Sequence, residues 1–272
     1  KLEGINKYFG PTHANKNISF TLKKGEVRGL AGENGSGKST LASIIAGINK
    51  RDSGIMYKDG KEYDPSSPQD AARNKIGIVV QELGLVNRLP AYINVYLGRT
   101  KEFTKYGLVD LKGINDAVNE QLKKWNLGTI RLKSLAEELS VESRKVVELA
   151  RALSIDPDIL ILDEVSQALT HDKRVILHEI VHKFKEMGRS VIIISHDVEE
   201  LLELTDTITV LRDGEMVGTK DTKDLTSEMV KSLMIGRDIE KDYYRSDKES
   251  VYENEVVLEI KDLSVENELF DI

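Results

Sequence analysis

The segment from Gly32 to Ser39, Gly-Glu-Asn-Gly-Ser-Gly-Lys-Ser, has the residue types and spacing to hold a chain of phosphates. Gly32, Gly35 and Gly37 free the backbone to curve until its N–H groups face an anion. A helix beginning at the end of the segment would turn its positive pole toward the same point. Lys38 adds a mobile positive charge for β- and γ-phosphates, and the Ser39 hydroxyl suits Mg²⁺. Asn34, Ser36 and Thr40 belong to the same stretch and are read as nucleotide-binding with it. An ordinary strand–helix turn would account for the glycines but not for Lys-Ser after them. The motif therefore predicts a nucleoside triphosphate with Mg²⁺, without separating a kinase from a GTPase or a transport motor.

A second group of reactive side chains follows two apolar runs. Ile159-Leu160-Ile161-Leu162 ends in Asp163-Glu164, and Val191-Ile192-Ile193-Ile194 leads through Ser195 to His196. Two acids at a strand end are often merely solvated. Beside a phosphate loop they acquire roles: Asp163 as a Mg²⁺ ligand, and Glu164 as the group that orients or deprotonates an attacking water. A lone histidine at a strand end is usually structural. If all three strands end on one edge of a parallel sheet, where ligands bind, His196 reaches the γ-phosphate as a hydrogen-bonding sensor.

The elements that must position these residues can be read from hydrophobic period. Ile18 to Leu22 alternates as a strand, Val27 to Ala31 is a short strand running into the glycine-rich loop, and Lys38 to Ile48 is helical with Leu41, Ile44 and Ile45 on one face. Ser53–Gly60 and Ile76–Val80 read as strands. Helical spacing dominates from about 90 to 153, as in Ile114, Val118, Leu122 and Trp125. Strand character returns at Ile159–Leu162 and Ser190–Ser195, with a helix over Asp172–Met187 between them. Thr207–Leu211 and Glu215–Gly218 form a hairpin around Asp213-Gly214. Continuous apolar runs of this kind are what buried parallel strands require. The fold class is α/β with a helical insertion.

Composition bounds the rest. A chain of 272 residues with 40% hydrophobic content can bury a sizeable core. Its net charge of -7 argues against a general nucleic-acid binder. The absence of cysteine removes disulfides and cysteine-ligated metal centres. No apolar run approaches the ~20 residues of a membrane helix, so any membrane contact is expected through a partner. The charged stretch 239–255 reads as a linker. Val256 to Leu263 then resumes a strand pattern similar to the start of the chain, as an internal repeat would.

Taken in order, these residues resemble an ATP-binding cassette (ABC) transporter ATPase over residues 1–236. The resemblance implies a P-loop NTPase core with a mostly parallel sheet, an N-terminal antiparallel β-subdomain and an inserted α-helical subdomain. It implies ATP and Mg²⁺ as ligands. Phe9 matches the aromatic residue that stacks on adenine, and Gln81 the glutamine that contacts Mg²⁺ and senses the membrane subunit. Lys38, Gln81, Glu164 and His196 match the catalytic set; Ser39, Gln81 and Asp163 match the metal-binding set. Leu139-Ser140-Val141-Glu142-Ser143 lies where the family signature belongs, with Ser140 as its remaining nucleotide contact. Gln81 to Leu85, Ala91 to Arg99 and Val210 to Gly214 are similar to phrases of the sugar-importer branch, in which two cassettes are fused. On that likeness the chain carries a first cassette (1–236), the linker (237–255) and the opening of a second (256–272). The implied partners are that second cassette, transmembrane permease subunits and, indirectly, an extracytoplasmic solute-binding protein, at the cytoplasmic face of a membrane.

The sequence departs from the family pattern in two places. The signature has Val141, Glu142 and Ser143 where the family has Gly-Gly-Gln, so a side chain crowds a backbone approach, and Glu142 brings negative charge toward a facing triphosphate. Val165 replaces a proline and Gln167 a serine beyond the catalytic glutamate. An asymmetric pair is therefore expected, in which this cassette supplies Lys38, Asp163, Glu164 and His196 and its partner supplies the signature. The chain alone is expected to bind ATP and hydrolyse it slowly. The alternatives are a soluble ABC ATPase of translation or DNA repair, and a nucleotide-sensing module with little hydrolysis.

Overall fold

A computed structural model describes residues 1–82 and 84–236. The linker and second-cassette readings at 237–272 lie outside the described residues. In chain order the elements are β1 (Leu2–Phe9), β2 (Thr12–Phe20), β3 (Val27–Ala31), α1 (Lys38–Ile45), β4 (Ser53–Lys58), β5 (Lys61–Glu62), α2 (Pro68–Arg73) and β6 (Ile76–Val79). Next come α3 (Ala91–Val95), β7 (Thr104–Lys105), β8 (Leu108–Val109), α4 (Leu111–Lys124), α5 (Val141–Leu153) and β9 (Ile159–Asp163). The described part closes with α6 (His171–Glu186), β10 (Ser190–Ile194), α7 (Val198–Leu204), β11 (Thr207–Arg212), β12 (Glu215–Asp221) and α8 (Ser227–Ile235).

Two sheets form the body. An antiparallel sheet runs β2-β1-β4-β5, and a six-stranded sheet runs β12-β11-β3-β10-β9-β6. In the second, β11, β3, β10, β9 and β6 pair in parallel and only β12 is antiparallel. Strands β3, β9 and β10 of this sheet are buried on both faces, which is why β9 and β10 read as unbroken apolar runs, whereas the edge strand β12 is largely exposed. Alternate residues serve different cores. Leu30, Ile161, Ile192 and Ile194 face α1 and the antiparallel sheet, in a cluster with Leu41, Ile44, Ile5 and Ile18. Leu160, Leu162, Val191 and Ile193 face the other way, toward α5, α6 and α7. Period two thus joins the sheet to two hydrophobic layers at once.

The expected helical insertion is present between β6 and β9. In α4, Asp110 caps the N-terminus through Gly113 N–H, and Ile114, Val118 and Leu122 form the buried stripe. Trp125, just beyond, is buried against Phe184 of α6. Asn94 is fully buried and bonds the backbone of Val86, Leu89 and Pro90, which fixes the loop entering α3. The insertion is not wholly helical, since β7 and β8 form a small hairpin within it. The predicted helix from Lys38 ends at Ile45 rather than Ile48, because Gly47 with φ 69° turns the chain out of the helix.

Candidate functional site

Four neighbouring parallel strands deliver the reactive residues to one edge. In register, Ile194 lies beside Asp163 on one side and Leu30 on the other, and Val79 lies beside Leu162. One or two residues past these positions come Gly32 after β3, His196 after β10, Glu164 after β9 and Gln81 after β6. Residues up to 164 positions apart are therefore brought together by sheet order alone, at the strand ends where α/β sheets bind ligands.

The loop Gly32–Gly37 joins β3 to α1 as predicted. Gly37 has φ 97°, and a Cβ there would collide with the Ala14 carbonyl, so only glycine lets the β1–β2 hairpin pack this close. Asn15 of β2, fully buried, donates to Gly37 O at 3.0 Å and ties that hairpin to the loop. Lys38 lies across the loop: its Nζ donates to Gly32 O at 2.8 Å and Glu33 O at 2.9 Å. Burial lowers the Lys38 pKa, opposed by the charges of Glu164 and Asp163. Asn34 and Gly35 are exposed at the mouth, Ser36 is buried beneath it, and Thr40 is half-buried on α1.

The acidic strand end faces α1. Ser39 Oγ donates to Asp163 Oδ1 at 3.1 Å. Burial raises the Asp163 pKa to about 6, with the Ser39 hydrogen bond opposing and the nearby Glu164 charge reinforcing it. Ser39 and Asp163 offer hard oxygen donors from one side only. That suits Mg²⁺, which completes its shell with phosphate oxygens and water. Among the described residues, no group of three or more His, Cys, Asp or Glu forms a metal cage of its own.

Glu164 is buried with φ 50°, and its N–H continues the ladder by bonding Ile194 O at 2.9 Å. Its Oε2 accepts from Gln81 Nε2 at 2.8 Å and from Gln167 Nε2 at 2.9 Å. Gln167 Nε2 also lies 3.0 Å from His196 Nδ1, and that ring nitrogen is 3.6 Å from Glu164 Oε1. Gln81 thus meets Glu164 rather than the Ser39–Asp163 pair. The sequence reading treated Gln167 only as a departure. Its part in the cluster arises from the turn Val165–Ala168, with Glu164 at φ 50° before it, which residue types alone do not announce.

Behind Gln81 lies a buried ion pair. Lys145 Nζ, on α5, donates to Glu148 Oε2 at 2.8 Å, Val80 O at 2.8 Å and Gln81 O at 3.2 Å. Glu148 accepts in turn from Gly84 N–H. Both side chains are almost wholly buried. Neither residue was singled out from the sequence, since a charged pair three apart on a helix normally faces water.

The remaining candidates stand apart from this cluster. Ser140 is exposed and caps α5, bonding Ser143 N–H and hydroxyl. Glu142 accepts from Thr170 Oγ1 at 2.5 Å and Thr170 N at 3.2 Å, which lowers its pKa. Within the chain its charge turns to the N-terminus of α6. Phe9 ends β1, 46% exposed, with Lys7 Nζ 5.2 Å from its ring. Its neighbour Tyr8 stacks on His13 at 3.9 Å.

Fold and site together define an α/β nucleotide-binding domain of the phosphate-loop type. A family model described as ABC transporter matches residues 15–167, more than half of the chain, and the chain belongs to that family. It is 35% identical over 266 residues to the ribose import ATP-binding protein RbsA of Chromobacterium violaceum, covering 98% of this chain and 52% of that protein. To the RbsA of Shouchella clausii it is 36% identical over 268 residues, covering 98% of this chain and 53% of that protein. The chain thus spans about half the length of the curated relatives it matches. Among solved structures it resembles the ATP-binding cassette MJ0796, determined as a dimer in a post-hydrolysis state with ADP and Pi. The TM-score is 0.71 at 27% identity, over 81% of this chain and 97% of that one. Among the described residues, no helix is long and apolar enough to cross a membrane.

Proposed function

We propose that this chain is the ATP-binding and hydrolysing cassette of an importer for ribose or a similar sugar. The observation that carries the proposal is the meeting of Lys38, the Ser39–Asp163 pair, Glu164 and His196 on one edge of four parallel strands. The likeness to RbsA proteins adds the sugar.

The residues divide the work by position. The loop N–H groups and Lys38 bind the phosphates and take up charge as the γ-phosphoryl group departs. Ser39 and Asp163 would hold Mg²⁺, which would supply further neutralisation of phosphate charge. Glu164, held by two amides, orients a water for in-line attack and accepts its proton. His196 contacts the γ-phosphate, and Phe9 offers its exposed ring to the adenine. The partners fitting this role are a second cassette that supplies an intact signature, the permease subunits at the cytoplasmic membrane face, and through them a solute-binding protein.

Paired variants provide the test. Lys38→Ala is expected to weaken ATP binding at least tenfold, the scale of a lost charge-assisted contact. Glu164→Gln should keep ATP binding and abolish both hydrolysis and ribose uptake by the assembled transporter. Hydrolysis that survives Glu164→Gln would overturn the catalytic assignment, and uptake indifferent to Glu164 would overturn the coupling. A nucleotide-sensing role, which the Val141–Ser143 departure favours, predicts ATP binding without turnover in the same assay.

A further inference from the structure

The mechanism above uses Glu164 and His196 but gives the side chain between them no role at the histidine. Gln167 is exposed, on the 3-10 turn Val165–Ala168 that leaves β9. Its Nε2 is 2.9 Å from Glu164 Oε2 and 3.0 Å from His196 Nδ1. The orientation of the amide is settled by the carboxylate, which can only accept, so the NH₂ end must face it. That NH₂ has two hydrogens, and the second is free for the imidazole. An imidazole nitrogen accepts only when it carries no proton. The proton of the neutral ring then resides on Nε2.

This arrangement inverts a familiar pairing. Where a carboxylate bonds a histidine directly, it draws the proton to Nδ1 and leaves Nε2 as an acceptor, fit to act as a base. An Nε2 acceptor would oppose a phosphate oxygen lone pair to lone pair. An amide inserted between the two groups reverses the sense of the hydrogen bonds and makes Nε2–H a donor. The same Glu164 oxygen also receives Gln81 Nε2, so two amides hold the carboxylate in one orientation. We propose that Gln167 is a positioning residue that fixes His196 as its Nε2–H tautomer and holds the Glu164 carboxylate at the same time. The kinetic half of this proposal rests on the hydrolytic reading; the tautomer half does not.

The tautomer is read from the ¹⁵N shifts and two-bond couplings of the chain labelled at its five histidines, at about pH 8 where neutral rings dominate. The His196 signals are those lost in His196→Gln. The expected wild-type result is the Nε2–H form. Gln167→Ala should mix the tautomers, and the isosteric Gln167→Glu should shift His196 to the Nδ1–H form. A wild-type Nδ1–H ring, or a tautomer unmoved by both substitutions, would overturn the proposal. In ATP turnover by the assembled protein, Gln167→Ala should lower kcat on the order of tenfold and change KM for ATP less than about twofold. Gln167→Glu should be worse than Ala, because it cannot donate to Glu164. A role in packing alone predicts that Gln167→Ala leaves the His196 tautomer unchanged. If hydrolysis proves independent of Glu164, the functional reading fails, and the tautomer measurement still decides the role of Gln167.

Discussion

At the scale of single residues, the site keeps an ionisable acid where burial disfavours its charge. Asp163 has an ordinary pKa of 3.8 and reaches about 6 in the folded chain, chiefly through burial. Below about pH 4 it is protonated in both folded and unfolded states, and its burial costs nothing through charge. As pH rises through about 6 the folded state must hold a carboxylate that the unfolded state would solvate, so stability is lost over that window. Asp163→Asn removes this charge while keeping an oxygen for the Ser39 hydroxyl. It should stabilise the chain on the order of 1–2 kcal/mol at neutral pH, a rise of a few degrees in Tm. The gain should shrink toward zero as the pH falls from about 6 to about 4. Calorimetry of both proteins at pH 7.5 and 5 checks this; a gain that grows on acidification would refute it. Selection for phosphate chemistry thus holds an acid where stability would favour an amide.

At the scale of elements, helix α5 is joined to the strand-end segment 80–84 by charge. Lys145 reaches the Val80 and Gln81 carbonyls, and Glu148 receives Gly84 N–H. Lys145→Met keeps the stem but leaves Glu148 buried without its cation, which should cost on the order of 3 kcal/mol. The double variant with Glu148→Gln should recover part of that loss, so the two changes will not add. Urea titration provides the numbers, and a cost for Lys145→Met below about 1 kcal/mol would show that the pair does not hold the segment. Elements of this kind were legible in proportion to their regularity. Strands β9 and β10 were plain because both their faces are apolar, β3 because it runs into the glycine-rich loop, and α4 because Ile114, Val118 and Leu122 keep helical spacing. Strand β1 was not, because its register shifts near Ile5 and Lys7 break the alternation that marks a strand. The short helices α2 and α7 carry too few turns for a period to emerge. Of the site, the loop, Asp163, Glu164 and His196 were visible as motif residues at strand ends. Gln167, Asn15 and Lys145 were not, since their roles arise from turn shape and burial that residue types alone do not specify.

At the scale of the whole molecule, strand order sets when the site can exist. Strand β10 pairs with β3 on one side and β9 on the other, and it comes after both in the chain. Until Ser190–Ile194 is available, β3 and β9 have no common neighbour, so nothing in the sheet holds Lys38 and Ser39 opposite Asp163. The phosphate-binding loop is complete in sequence at Ser39, yet its facing wall awaits a strand some 150 residues later. During synthesis, α1 and the antiparallel sheet emerge long before β10 and must wait with apolar surface such as Leu41, Ile44 and Ile18 lacking the cover that Ile192 and Ile194 later provide. MgATP can stabilise only a form that binds it. Ribosome-bound chains halted before Ser190 should therefore gain no resistance to protease from MgATP, whereas chains with the body through Ile235 outside the exit tunnel should gain it. Protection already present in the shorter chains would show that the loop folds without its wall. On that expectation the nucleotide acts as a proofreader of synthesis: it would reward only a cassette whose central strand has arrived, and leave an interrupted chain exposed to degradation.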